Sequence, residues 1–220
     1  MLNFLAGRPP QEIFLILTLA IGALALAISV HESAHAWMAN RLGDPTARLQ
    51  GRISLNPLDH IDLLGTIVIP MLLIISGTGI LFGWAKPTPF NPWNLKNPRR
   101  DSALISLAGP ASNFLLATGL AVIFRLIPNT NFIADVVLQF IVLNLVLAFF
   151  NLIPIPPLDG FKVVGGLLPK NLYYQWASLE RYGFFILIAF FFFGGFIIQP
   201  ILGFLVGTFV SVLTGSSLSL

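Results

Sequence analysis

Long apolar runs, separated by short polar stretches, make up most of the chain. No ionisable side chain occurs from Ile13 to Val30, and this run predicts a helix over 11–40, longer than the ~20 residues that cross a membrane. Further apolar runs cover 61–83, 102–127, 132–153 and 183–214. We predict an all-α polytopic membrane protein with four to six transmembrane helices, the last run forming one kinked span or two short ones.

Basic residues lie on both sides of the run over 61–83. Arg48 and Arg52 precede it, and Lys86, Lys96, Arg99 and Arg100 follow it. Because loops rich in lysine and arginine stay in the cytoplasm, both flanks are expected there. We therefore predict that 61–83 is a re-entrant segment. If it crossed the membrane instead, the end of the helix over 11–40 and Asp159 would face opposite sides.

Prolines at alternate positions mark the stretch over 83–92, where Pro87, Pro89 and Pro92 interrupt an otherwise extended pattern. Proline is tolerated in an edge strand or an extended loop, because its missing N–H group does no harm there. The stretch is either a plain linker or the open edge of a short membrane-associated β element, and both interpretations remain.

Composition excludes several classes of protein and of site. Of the 220 residues, 56% are hydrophobic and only 10% are charged, which does not suit a soluble domain. The net charge of +3 comes from residues that flank the apolar runs, so it reports orientation and predicts no nucleic-acid partner. The chain contains no cysteine, which excludes disulfides, thiolate metal sites and a cysteine nucleophile.

The first apolar run ends in the sequence His31-Glu32-Ser33-Ala34-His35. On a helix the two histidines lie on one face, where both can bind one metal ion, and Glu32 lies beside them. Ionisable side chains inside a membrane cost a few kcal/mol unless they have partners, so a functional role is favoured over a chance occurrence. The pattern is typical of zinc hydrolases, in which the glutamate acts as a base.

Two histidines leave a tetrahedral zinc ion one protein ligand short. Asp159 is the best third candidate, since it follows three prolines within 154–157 that keep the backbone out of a helix at the end of a span. His60 is second, Asp59 lies beside it in sequence, and Glu180 is farther along a cytoplasmic stretch.

Three motifs together resemble the site-two protease family of intramembrane zinc metalloproteases, and they cover nearly the whole chain. They are His31-Glu32-x-x-His35, Gly109-Pro110-x-x-Asn113 and Asn151-x-x-Pro154-x-Pro156-x-Leu158-Asp159-Gly160. The segments Asn56 to His60 and Gly83 to Pro87 are similar to those of its compact prokaryotic branch, which has neither a PDZ nor a CBS domain. The resemblance implies that His31, His35 and Asp159 bind zinc, that Glu32 is the catalytic base and that Asn151 assists near the scissile carbonyl.

The resemblance also implies what the protein acts on and where. We expect residues 1–220 to form one integral membrane metalloprotease domain in a prokaryotic cell membrane, with its active site toward the cytoplasmic side. Its partners would be the lipid bilayer and membrane protein substrates, cleaved in or near their transmembrane segments. A transmembrane helix must unwind before it can be cleaved, and the stretch with Trp84, Lys86 and Pro87 is a possible clamp for the opened strand.

One alternative from another class is a membrane transporter that uses intramembrane His, Glu and Asp for metal ions or protons. It would explain the buried ionisable residues, but not the complete His-Glu-x-x-His pattern. Di-iron membrane enzymes need more than the three histidines present. The chain also has no Gly-x-Ser-x-Gly motif, which disfavours a serine protease.

Overall fold

Helices form the structure, a computed structural model that describes residues 9–69, 72, 84–128 and 132–215. The α-helices are α1 (Pro10–Arg41), α2 (Thr46–Leu49), α3 (Pro98–Leu126), α4 (Phe132–Asn151), α5 (Asp159–Leu167), α6 (Lys170–Ala177), α7 (Gly183–Ala189) and α8 (Gly195–Thr214). Single 3-10 turns lie at Pro57–His60, Pro92–Asn94 and Ser178–Tyr182, and π-helical turns at Leu63–Val68 and Phe190–Gly194. No β-strand occurs in these ranges, so the predicted β element is not confirmed.

Three of the described helices, α3, α4 and α8, are long and apolar enough to cross a membrane, which indicates a membrane protein. The predicted count of four to six is not confirmed by these three. Helix α1 has 32 residues, so at ~1.5 Å per residue it is longer than the ~30 Å of a bilayer's hydrocarbon. Its membrane crossing stays a prediction. From Gly183 to Thr214 the backbone is helical throughout, and the π turn at Phe190–Gly194 lies beside the glycine pair Gly194-Gly195.

Helix α3 is the centre of the packing, because α1, α4, α5 and α8 all contact it. Its small buried residues Ala117 and Ala121 let α4 and α8 approach closely, where Ile141, Leu145 and Val210 fill the core. Nearer its start, α3 faces α1 instead. The residues of α3 that oppose the histidines of α1 therefore belong to the best-buried part of the molecule.

The end of α1 is tied to the segment that precedes α3. Helix α1 ends at Arg41, and Gly43 adopts the left-handed conformation that turns the chain (φ 108°). The buried carboxylate of Asp44 then accepts hydrogen bonds from Thr46, from the Asn91 backbone N (2.6 Å) and from Asn94 Nδ2 (2.7 Å). Burial alone would raise the pKa of Asp44, but these hydrogen bonds outweigh burial and hold it below its usual value.

Residues 84–90, called here the strap, are extended and run beside α1. Trp84 N donates to Gly65 O (3.1 Å), Thr66 Oγ1 donates to Trp84 O (2.9 Å), and Lys86 N donates to His60 O (2.9 Å). The two flanks of the predicted re-entrant segment therefore lie side by side. Within that segment, residues 70, 71 and 73–83 lie outside the described ranges, so its path through the membrane stays a prediction.

Candidate metal centre

Helix α1 places His31 and His35 on one face, against α3, as the four-residue spacing predicts. Both side chains are buried, and their ring centroids are 4.6 Å apart with the rings nearly perpendicular. Gly109 of α3 faces both rings: an added Cβ there would lie 2.6 Å from His31 Nε2 and would also overlap the His35 ring. Glycine at this position is therefore what allows the two imidazoles to fit between the helices.

Each histidine uses its Nδ1 atom for a hydrogen bond to α3. His35 Nδ1 lies 2.7 Å from the carbonyl oxygen of Ile105, and His31 Nδ1 lies 2.6 Å from Asn113 Oδ1. A carbonyl oxygen can only accept, so Nδ1 carries the proton in both pairs. The lone pair of a neutral imidazole is then on Nε2, which is the arrangement that metal-binding histidines require.

Asp159 completes a set of three converging ligand atoms. Its Oδ2 atom lies 3.1 Å from His31 Nε2 and 3.3 Å from His35 Nε2. In a tetrahedral zinc site with bonds of about 2.0–2.1 Å, neighbouring ligand atoms lie about 3.3–3.4 Å apart. The two separations from Asp159 Oδ2 therefore fit zinc, and the two nitrogens and one carboxylate oxygen are donors that zinc accepts.

A local contact of the chain fixes where Asp159 lies. It is the first residue of α5 and follows the proline-rich loop that leads out of α4. At Gly160 an added Cβ would overlap the backbone of Leu152, so only glycine allows this close return of the chain. The sequence Asp159-Gly160 thus brings a carboxylate to the histidines across 128 residues of sequence.

Glu32 lies next to the three ligand atoms. One ligand atom each from His31, Glu32 and His35 lie within 4.8 Å of one another, so these three residues form a group that could hold a metal ion. The strap holds this side chain: Thr88 N donates to Glu32 Oε2 (2.9 Å), and Thr88 Oγ1 donates to the Glu32 carbonyl (3.0 Å).

The remaining predicted residues have other partners. Asn151, at the end of α4, donates from Nδ2 to Leu147 O in its own helix (2.9 Å). His60 is buried and its Nε2 lies 2.8 Å from Ser54 O. Glu180 lies 3.5 Å from Lys162 Nζ.

The three residues of the possible clamp all lie in the strap, which the protein holds along one edge. The Trp84 and Lys86 backbones bond toward residues 60–66, and the buried Arg52 donates to the carbonyls of Lys86 (3.3 Å) and Pro87 (3.2 Å). On the other edge Pro87 and Pro89 have no N–H to offer. A partner strand would therefore find few donors on that edge.

A cavity of about 430 Å³ opens beside the strap, next to Thr88. Phe90 of the strap, Phe161 and Lys162 of α5, and Trp176 of α6 line it together with Thr88. Thr88, which lines the cavity, bonds to Glu32, and Phe161, which also lines it, follows Asp159 by two residues, so the cavity lies close to the centre. It has the size of a small-molecule or short-peptide pocket.

Three residues of the hydrogen-bond network around the centre are not among the site residues predicted from the sequence: Asn113, Asn144 and Thr88. Asn113 enters the sequence analysis only as part of a motif that carries the resemblance, although an amide in an apolar span is itself a signal of a polar role. Asn144 is likewise an amide in an apolar span, the run over 132–153. Thr88 has no such sequence signal, since its contact with Glu32 depends on the path of the strap.

Comparisons with known proteins identify relatives that are named as putative zinc metalloproteases. The chain is 37% identical over 192 residues to the "Putative zinc metalloprotease YwhC" of Bacillus subtilis (strain 168), covering 81% of this chain and 83% of that protein. It is 30% identical over 175 residues to the "Putative zinc metalloprotease Rip2" of Mycolicibacterium smegmatis, covering 78% of this chain and 65% of that protein. The Rip2 protein of Mycobacterium tuberculosis (strain ATCC 25618 / H37Rv) is 29% identical over 194 residues, or 86% of this chain and 73% of that protein. No family model and no solved structure matches the chain.

Proposed function

Since the chain belongs to the zinc metalloprotease family of YwhC and Rip2, we propose that it is an intramembrane protease that hydrolyses peptide bonds in or near the transmembrane segments of membrane proteins. Within that family we place it with the compact prokaryotic site-two proteases, as one membrane domain over residues 1–220. Nothing in the comparisons favours the transporter alternative.

The observation that carries the proposal is the spacing of three ligand atoms. His31 Nε2, His35 Nε2 and Asp159 Oδ2 would hold zinc with three protein ligands, the number that catalytic zinc sites use, and the 3.1 Å and 3.3 Å separations match neighbouring ligand atoms of a tetrahedral site. Zinc bound there supplies Lewis acidity that polarises a carbonyl group and lowers the pKa of water. A structural zinc site would use a fourth protein ligand instead.

Glu32 is assigned the proton transfers. Its carboxylate takes a proton from the attacking water and returns it to the amine that leaves, as a general base and then a general acid. The hydrogen bond from Thr88 N keeps the carboxylate turned to one orientation beside the histidines. Asn151 Nδ2 uses one of its two protons for Leu147 O, and we assign the other proton to a hydrogen bond with the substrate carbonyl.

The proposed orientation has the centre near the cytoplasmic side, with α1 crossing the membrane and 61–83 re-entrant. The contact of Trp84 with Gly65 and Thr66 supports this, because both ends of the segment return to one level. An unwound substrate would approach along the strap, with Trp84, Lys86 and Pro87 on its path, and the cavity beside Thr88 would receive its cytoplasmic portion.

The experiment compares Glu32→Gln with Glu12→Gln, a matched change about 30 Å away on the same helix. Each purified protein is reconstituted with candidate single-span membrane proteins, and cleavage and zinc content are measured together. Glu32→Gln is expected to keep its zinc while cleavage falls at least ~10²-fold, the usual effect of losing a general base. Cleavage by Glu32→Gln at the rate of the Glu12→Gln control would refute the proposed mechanism.

A further inference from the structure

A chain of buried hydrogen bonds connects His31 to helix α4, which contributes no ligand to the centre. His31 Nδ1 donates to Asn113 Oδ1 (2.6 Å), Asn113 Nδ2 donates to Asn144 Oδ1 (2.8 Å), and Asn144 Nδ2 donates to Phe140 O (2.9 Å). Asn113 and Asn144 are both 0% exposed. Burying two amides between apolar helices costs free energy unless they are hydrogen-bonded, so a pair of buried asparagines at this position indicates a specific role.

Backbone carbonyls at two points fix the direction of every bond in this chain. Phe140 O can only accept, so the Asn144 amide nitrogen must face it and the Asn144 oxygen must face Asn113. The second proton of Asn113 Nδ2 goes to the carbonyl of Ala27 on α1 (3.1 Å). Both constraints turn the Asn113 oxygen toward His31, so that the His31 Nδ1 atom must donate.

We propose that Asn144 is a positioning residue of the metal centre: through Asn113 it holds His31 in the tautomer and ring orientation that present Nε2 to the metal. This inference rests on the proposed zinc site. Metal-ligating histidines depend on such outer partners, whose loss typically weakens metal binding 10–100-fold.

The two histidines are positioned differently, and this gives the proposal its specificity. His35 bonds directly to a backbone carbonyl of α3, whereas His31 depends on two side-chain amides and on the position of α4. Without Asn144, the amide nitrogen of Asn113 keeps only its longer hydrogen bond, to Ala27 O. Its amide then loses one of the two constraints on its orientation, and the orientation of His31 loosens with it.

The test is a double-mutant cycle read out as zinc affinity. Zinc Kd is measured by chelator competition on the purified full-length chain for wild type, Asn144→Leu, Asn113→Leu and the double variant. Asn144→Leu keeps the number and branching of the side-chain heavy atoms and is expected to weaken zinc binding about tenfold, and Asn113→Leu at least as much. Because Asn144 acts through Asn113, the double variant should bind zinc no more weakly than Asn113→Leu alone.

The control is Ile141→Val, another fully buried residue of α4 one turn away, which is expected to lower the melting temperature without changing zinc Kd. If Asn144→Leu does not fold, Asn144→Ser takes its place with the same expected loss. A wild-type zinc Kd in a folded Asn144 variant would overturn the inference, and so would effects of the two asparagines that multiply in the double variant. If the wild type itself binds no zinc, the proposed function fails with it.

Discussion

Gly109→Ala is expected to damage the metal centre, although the same change normally stabilises a helix. Alanine in a helix interior is favoured over glycine by about 1 kcal/mol. Here the new methyl group would lie 2.6 Å from His31 Nε2 and would overlap the His35 ring. Ordinary carbon contacts are about 3.5–4.0 Å, so at least one ring has to move by about 1 Å.

The rings have little freedom to make that movement. His31 is held by Asn113 and His35 by the carbonyl of Ile105. Zinc ligands keep their distances to about 0.2 Å, so a displacement of about 1 Å removes at least one bond. We expect the zinc affinity of Gly109→Ala to fall at least ~100-fold, the upper end of the effect of losing an outer partner.

Chelator competition measures this zinc affinity directly, and the chain offers a matched control. Gly119 lies on the same helix with nothing within 4 Å of an added Cβ, so Gly119→Ala should bind zinc like wild type. A Gly109→Ala protein that binds zinc as tightly as Gly119→Ala would refute the geometry described for the two histidines.

Two further predictions concern the rest of the framework. Asp44→Asn should lower the free energy of unfolding at pH 7 by about 1–3 kcal/mol, because Asn91 and Asn94 lose a charged acceptor. Since the native pKa of Asp44 is lowered, the ionised carboxylate stabilises the protein above about pH 4, and the difference in melting temperature between wild type and variant should close as the pH falls below that value; a constant difference would contradict the assignment. The chain has no cysteine, so single cysteines can be introduced at Leu58 and Trp93, whose side chains are 73% and 91% exposed, and at Leu126. An impermeant maleimide should label Leu58→Cys and Trp93→Cys from the same side of the membrane and Leu126→Cys from the other side. Labelling of the first two from opposite sides would exclude a re-entrant segment.

The sequence predicted the parts of the centre that depend on local periodicity. A spacing of four residues puts His31 and His35 on one face of any helix, and a run without charges predicts that helix whatever surrounds it. The convergence of Asp159 with them was expected from its unwound backbone and from resemblance. The structure brings these three residues together, while their role as zinc ligands stays a prediction.

Contacts between distant segments could not be predicted in the same way. The bond from Thr88 to Glu32 spans 56 residues and depends on how Arg52 holds the strap and Asp44 holds Asn91 just after it, which no periodicity records. The prolines of the strap predicted extended backbone, but they also remove the donors that a ladder needs, and the structure has no strand over 84–90.

The most direct test of the central claim is the amount of zinc bound per chain, measured by elemental analysis of the purified protein and of Asp159→Ala. The account predicts about one zinc per wild-type chain, and little or none once the carboxylate that lies 3.1 Å and 3.3 Å from the two histidine nitrogens is gone. Stoichiometric zinc retained by a folded Asp159→Ala protein would contradict it.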